Sequence, residues 1–210
     1  MSDFTNADGK CKEKSRNLLI EKMKDRFNPN AELKVFSLCA NNLLFEQKVL
    51  KEFPRAKITC VEEDKIVFKQ AIALRNSLGV QDQISIFNCH DHKYWGMSAE
   101  IFDVIWLDYC GCFKETVYDT LVRVLDYNVS ANSLLAITLL NGREQPYWSH
   151  IFWEWSSEES APMRKYEAIK LMISNETEKY ELVTNTCFSY KDTSPMILGI
   201  YNIRKRSVCY

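Results

Sequence analysis

Apolar positions in the first two thirds of the chain form short runs that alternate with stretches of helical periodicity. The runs are rich in β-branched and aromatic residues, which is typical of buried strands. Between them, apolar residues recur at intervals of three and four, as on one face of a helix. This alternation predicts a parallel sheet with helices on both faces. The predicted strands are 33–38, 57–61, 84–87, 101–107 and 133–140.

A leading helix is predicted before the first strand. Leu19, Met23 and Phe27 share one helical stripe, and Pro29 ends it because proline lacks an N–H donor and biases its neighbour away from helix. We take residues 1–30 as a leading helical segment, in which basic side chains outnumber acidic ones. A solvated helix face and a contact with nucleic acid are both compatible with this charge.

The last third of the chain departs from the alternation. Residues 141–180 contain a tryptophan-rich insertion followed by a helix. Two strand-like runs, 180–190 and 196–203, are joined by a link that is too short for a parallel crossover, which needs a dozen or more residues. These two strands are therefore expected to form an antiparallel hairpin. The sequence predicts a seven-stranded, mostly parallel sheet with an antiparallel last strand.

Composition and charge fit one globular domain spanning residues 1–210. The chain is 46% hydrophobic and 26% charged, and its 6 glycines and 5 prolines leave few places for a flexible linker. A formal net charge of −1 gives no overall field that would attract nucleic acid or a membrane. The polar start lacks the apolar core of a secretory signal, and no run of about 20 apolar residues suits a membrane span. We expect an intracellular, cytoplasmic protein, with a nuclear location left open.

The eight cysteines do not indicate a disulfide scaffold. Cys39, Cys60 and Cys89 lie in or beside apolar runs, where a free thiol behaves as a small hydrophobic group. Cys110 and Cys112 form the one close pair, and no second pair or histidine cluster accompanies it at zinc-ligand spacing. We therefore expect no structural metal.

The order of these elements, from about residue 33 to residue 204, resembles that of class I S-adenosylmethionine-dependent methyltransferases. The resemblance implies an α/β three-layer sandwich and S-adenosylmethionine as the cofactor. A nicotinamide-binding fold is disfavoured because its glycine fingerprint is absent and the final hairpin does not suit it.

The loop after the first strand takes the place of the family's first motif but contains no glycine. By the resemblance, Ser37 stands at the acidic position, Cys39 and Asn41 at the first two glycine positions, and Leu43 at the third. Asn41 and Asn42 could still form a tight loop because asparagine tolerates a positive φ. A loop that has lost cofactor binding is the alternative. The resemblance assigns cofactor contacts to Ser37, Leu38, Cys39, Ala40 and Asn41.

Acidic residues follow the second and third strands. By the resemblance, Glu62 accepts the ribose hydroxyls of the cofactor with its two carboxylate oxygens, and Glu63 lies beside it. A helix-start charge, favoured by the helix dipole, is the alternative for these acids. His90 and Asp91 fall where the family contacts the adenine amino group. A metal site built from His90, Asp91 and His92 is a weaker alternative, because no distant partner is evident except His150.

The segment 102–111 resembles the family's fourth motif, which places a polar residue where the methyl group meets its acceptor. In enzymes that methylate amino groups of nucleic acids, this motif is Asp or Asn, two prolines and an aromatic residue. Asp108 matches the first position, whereas Tyr109, Cys110 and Gly111 replace the rest. Asp108 is expected to orient an amine and accept its proton, and Tyr109 to stack on a base. The alternatives are that Asp108 caps the next element or that Cys110 acts as a nucleophile.

Aromatic residues dominate the segment 147–155, where this fold often carries a substrate-recognition insertion. Trp148, with Cys110, Tyr109 and Arg143, is expected to bind substrate, and the segment is also a candidate contact for a protein partner. Burial of its aromatics against the sheet is the alternative. The resemblance implies a methyltransferase, and Asp108-Tyr109, the basic leading helix and residues 204–206 favour nucleic acid as its substrate. A non-catalytic binding or scaffold subunit is the alternative, and a small-molecule or protein methyltransferase remains a third possibility.

Overall fold

The computed structural model describes residues 10–109, 111–141, 145–158, 160–191 and 194–206. Its strands are β1 Lys34–Leu38, β2 Lys57–Val61, β3 Ile84–Phe87, β4 Phe102–Asp108, β5 Val129–Leu140, β6 Tyr180–Lys191 and β7 Pro195–Lys205. They form one sheet in the order β3-β2-β1-β4-β5-β7-β6. The five strands from β3 to β5 in this order are parallel to their neighbours, and β7 is antiparallel to both β5 and β6.

Helices cover both faces of this sheet. One face packs against the first three helices through a core that includes Leu19, Phe45 and Ala71, and the other packs against the remaining four through Trp95, Leu121 and other apolar residues. The helices are α1 Lys10–Arg26, α2 Leu44–Glu52, α3 Lys65–Ser77, α4 Asp91–Met97, α5 Glu115–Tyr127, α6 Pro146–Trp155 and α7 Ala161–Glu176. The predicted three-layer sandwich is confirmed. In the described part of the chain, no helix is long and apolar enough to span a membrane.

The predicted strands and the final hairpin are confirmed, and their bounds differ by a few residues. The fifth strand begins at Val129, earlier than predicted, because Val129 pairs with Phe102 across an irregularity in the β4–β5 ladder. The short helix α4, which was not predicted, buries Tyr94 and Trp95 against Phe36. The tryptophan-rich segment is helical, with Pro146 in its first turn, where proline's missing N–H costs nothing.

A close contact between α7 and β7 depends on Gly199. The rings of Tyr166 and Tyr201 stack with their centroids 4.5 Å apart, and the Tyr166 hydroxyl donates a hydrogen bond to the Ile200 carbonyl. A Cβ atom on Gly199 would lie 2.8 Å from a carbon of the Tyr166 ring. Because Gly199 has no side chain, the Tyr166 ring of α7 packs directly against the backbone of β7.

Candidate functional site

The carboxyl ends of β1 to β4 meet at one edge of the sheet, because these strands are parallel. Ser37 pairs with Cys60 of β2 and with Trp106 of β4, and Asp108 pairs with Thr138 of β5. Ligands of open parallel sheets bind beyond this edge. The edge therefore brings together most of the residues that the sequence marks as candidates.

Ser37 does not face an open ligand site, because its hydroxyl is buried against α2. It donates a 2.5 Å hydrogen bond to the Glu46 carboxylate and lies 3.4 Å from the Cys60 sulfur. Burial raises the pKa of Glu46, while the Ser37 hydrogen bond and the charge of Arg16 oppose that rise. Cys39 and Cys60 are buried free thiols, as predicted. Glu46 of α2 thus places a buried carboxylate beside Ser37, the position at which the resemblance leads us to expect an acidic residue.

The turn into α2 has a left-handed residue at the third glycine position. Among the described residues other than glycine, only Leu43 has a positive φ, with a value of 48°. The expectation that Asn41 or Asn42 would take this conformation is wrong. The fully buried Leu43 side chain packs in the core with α2, and this packing offsets the steric cost of left-handed backbone.

Glu62 follows β2 directly and is half-buried. Its carboxylate accepts a 2.7 Å hydrogen bond from the Asp64 N–H, and burial raises its pKa against the effect of that bond. The helix-start role belongs to Asp64, whose side chain accepts hydrogen bonds from the first N–H groups of α3. Glu62 is therefore not needed as a cap, and its carboxylate stands at the strand end.

The residues after β3 contact those after β2 and β4. The His90 ring contacts the Glu63 carboxylate, and the Tyr109 hydroxyl donates a hydrogen bond to Asp91. Burial raises the pKa of Tyr109 well above its usual value, and the Asp91 charge adds to this rise, so the hydroxyl keeps its proton. Within the described ranges, no three His, Cys, Asp or Glu side chains are grouped as metal ligands.

Asp108 ends β4 and forms an ion pair with the first turn of α1. Its Oδ2 atom lies 3.0 Å from Lys12 Nζ, and the two side chains are only 11% and 20% exposed. Its Oδ1 atom is buried and has no hydrogen-bond partner among the described residues. The capping role is not observed, because α5 begins only at Glu115, after Lys114. Asp108 is thus a shielded carboxylate with one oxygen unsatisfied.

The aromatic segment divides into a buried and an exposed side. Trp148 is buried, with its ring centroid 4.9 Å from that of Phe113. Trp153 is 61% exposed, and the Arg164 guanidinium lies over its ring. The structure thus places Trp148 in the core, as the burial interpretation expects. Cys110 and Arg143, which are also predicted to bind substrate, lie outside the described residues.

Three charged residues that lie at this edge, Lys12, Arg16 and Glu46, are not identified from the sequence. Lys12 and Arg16 continue the buried stripe of Leu19 and Met23 by two turns toward the amino end of α1, and Glu46 lies on the buried side of α2. Buried charges are rare unless they are paired. Their place on apolar stripes is the signal that could have found them.

No protein-family model and no curated protein matches the sequence. Solved structures match its fold. TYW2 of P. horikoshii in complex with MeSAdo is 16% identical with a TM-score of 0.61, covering 97% of this chain and 65% of that chain. A protein provisionally described as an rRNA methylase from Clostridium thermocellum is 11% identical with a TM-score of 0.60, covering 92% and 96%.

A third similar structure is the fibrillarin pre-rRNA processing protein of Methanococcus jannaschii, which is 11% identical with a TM-score of 0.54 and covers 84% of this chain and 69% of that chain. Identities this low establish the fold alone. The chain has the fold of class I S-adenosylmethionine-dependent methyltransferases.

The residues at the strand edge fit the adenosyl part of such a cofactor. The half-buried Glu62 carboxylate suits a pair of hydroxyl groups. The Ser37 hydroxyl does not suit the amino-acid part of the cofactor in this arrangement, because it is buried and already donates its hydrogen bond to Glu46.

Proposed function

We propose that this protein is an S-adenosylmethionine-dependent methyltransferase that acts on a nitrogen atom of a nucleic-acid base. The observation that carries the proposal is the Asp108 carboxylate, which ends β4, is shielded from solvent and has one oxygen without a hydrogen-bond partner among the described residues. A carboxylate held in this way can orient an amino group and accept the proton that the nitrogen loses. When bound, the cofactor supplies an electrophilic methyl group on a positively charged sulfur.

The other strand ends have separate roles in this proposal. Glu62 accepts the ribose hydroxyls, and Glu63 and His90 join the loops that flank the adenosyl group. Asp91 accepts a hydrogen bond from the adenine amino group, which replaces the hydrogen bond from the Tyr109 hydroxyl. The Tyr109 ring then remains to stack on the acceptor base. Catalysis rests mainly on holding the reacting atoms in line.

The choice of a nucleic acid as substrate is supported by the Asp108-Tyr109 motif. It is also supported by the similar structures, which include a protein provisionally described as an rRNA methylase and a pre-rRNA processing protein. Surface charge supports it less. Lys24 pairs with Glu52, Arg204 pairs with Glu181, and Arg26 donates to the Asn202 side chain, so these cations are engaged within the chain. The acceptor is therefore expected to be recognised more through base stacking than through a basic surface.

The proposal is tested by transfer of a labelled methyl group from S-adenosylmethionine to unmodified RNA, single-stranded DNA, duplex DNA and a protein mixture. Label in a nucleic acid, recovered as a methylated base, is expected. Asp108→Asn should lower the rate by about 10²-fold or more, whereas Asp119→Asn, at an exposed position on α5, should not change it. Label in protein alone would contradict the assignment of the acceptor.

A second candidate function, a non-catalytic binding or scaffold subunit, is favoured by one observation. Two candidate polar groups at strand ends have partners within the chain, Ser37 with Glu46 and Asp108 with Lys12. A scaffold of this kind would not need to bind S-adenosylmethionine. It would contact a protein partner through the exposed side of 147–155, and Trp153→Ala would weaken that contact.

A further inference from the structure

The ion pair between Lys12 and Asp108 is held in place by the docking of α1. The side chains of Leu19 and Met23 are fully buried and anchor this helix in the core. Two ion pairs, Lys24 with Glu52 and Glu13 with Lys48, join it to α2. Lys12 therefore reaches Asp108 from a rigidly packed element. A contact of this kind is expected to persist, unlike most ion pairs between mobile surface side chains.

A second cation lies one turn further along the same face of α1. Arg16 is 8% exposed, and its charge acts on the buried Glu46 carboxylate, which also senses the charge of Asp108. Two cations of α1 thus face two carboxylates at the strand edge. The negative charge of Asp108, which would otherwise attract a cationic ligand to this position, is compensated by Lys12.

S-adenosylmethionine and S-adenosylhomocysteine differ at one charged atom. They share the adenosine and amino-acid groups, but the sulfur of the first is a positively charged sulfonium and that of the second is a neutral sulfide. A lone carboxylate beside the methyl position attracts the first and leaves the second almost unaffected, and a positive side chain paired with that carboxylate cancels the attraction. Such charge effects are strong where little solvent reaches the charges, as around Asp108, whose side chain is only 11% exposed.

We propose that Lys12 is a specificity-determining residue that removes the preference this site would otherwise have for the sulfonium cofactor over the neutral sulfide ligand. The inference rests on the proposed function, because it requires adenosyl ligands to bind at the strand edge. Methyl transfer then requires Lys12 to leave Asp108. The Asp108 carboxylate released in this way faces both the sulfonium and the acceptor nitrogen.

The test is the ratio of the two dissociation constants, measured by isothermal titration of each ligand into the full chain. In Lys12→Met, the ratio of the S-adenosylmethionine constant to the S-adenosylhomocysteine constant should fall by about tenfold or more. Lys12→Gln should show the same fall, and Lys12→Arg, which keeps the charge, should retain the wild-type ratio. Lys14→Met makes the same chemical change at an exposed position of α1 and should leave the ratio unchanged.

The failure of this inference can be distinguished from the failure of the proposed function. If both ligands bind and the ratio is the same in wild type, Lys12→Met and Lys12→Gln, the role of Lys12 is overturned and the cofactor site stands. If neither ligand binds to wild type or to any Lys12 variant, the proposed function and the role of Lys12 are both overturned.

Discussion

The Ser37 hydroxyl donates a 2.5 Å hydrogen bond to Glu46, so the acid that is missing from the end of β1 is supplied by α2. The Glu46 carboxylate is buried and lies between Ser37, Cys60 and the charge of Arg16. The loop that follows β1 contains no glycine and enters α2 through the buried, left-handed Leu43.

Replacing Glu46 with glutamine should change how stability depends on pH. Burial raises the pKa of Glu46, so the folded state holds this proton more tightly than the unfolded state. A group with a raised pKa stabilises the folded state at pH values below its pKa in the unfolded state, which is about 4.3 for Glu. This stabilisation is lost as pH rises through the pKa of the folded state. The Tm of wild type relative to Glu46→Gln should therefore fall between pH 4.5 and pH 8 in scanning calorimetry. A rise would mean that Arg16 keeps Glu46 ionised.

Replacing Gly199 with alanine should destabilise the packing of α7 on β7. The new methyl group would lie 2.8 Å from the Tyr166 ring and 3.0 Å from the Tyr201 hydroxyl, so the stacked rings must shift. We expect a loss of about 1–3 kcal/mol in the free energy of unfolding. Gly96→Ala is the matched control, because a Cβ atom there meets nothing within 4 Å. Equal denaturation midpoints for the two variants would contradict this account of the contact.

The two sides of α6 should respond differently to alanine. Trp148 packs against Phe113 in the core, so Trp148→Ala should cost about 3–5 kcal/mol in urea unfolding. Trp153 is exposed under the Arg164 guanidinium, so Trp153→Ala should change stability by about 1 kcal/mol or less. A large loss of stability in Trp153→Ala would remove this side of α6 as a candidate for partner contact.

Binding of S-adenosylhomocysteine should strengthen as pH rises from 5 to 7.5. Burial raises the pKa of Glu62, and the ionised carboxylate is the better acceptor for two ribose hydroxyls. Glu62→Gln should bind more weakly and lose this pH dependence in titration calorimetry. Glu178→Gln, at an exposed position before β6, should behave as wild type. The same pH dependence in Glu62→Gln would exclude Glu62 as its source.

The sheet could be predicted from the sequence because its strands are short apolar runs and its last connection permits only a hairpin. Helix α4 was missed because its seven residues are too few to show a helical period. The positions of Asp108 and Glu62 at strand ends follow directly from where those runs stop. Their partners do not, because Lys12 and Glu46 reach the edge from helices whose packing depends on tertiary structure. A charged residue on an apolar stripe gives no indication of which strand end it will meet.

The central claim, that this strand edge binds the adenosyl cofactor, is tested most directly by thermal unfolding of wild type with and without S-adenosylhomocysteine. Ligand at about 100 times its dissociation constant should add about 2.7 kcal/mol, which is about 5–10 °C in Tm for a chain of this size. The account predicts such a shift in wild type and its loss in Glu62→Ala. No shift in wild type at millimolar ligand would contradict the account and favour the non-catalytic subunit.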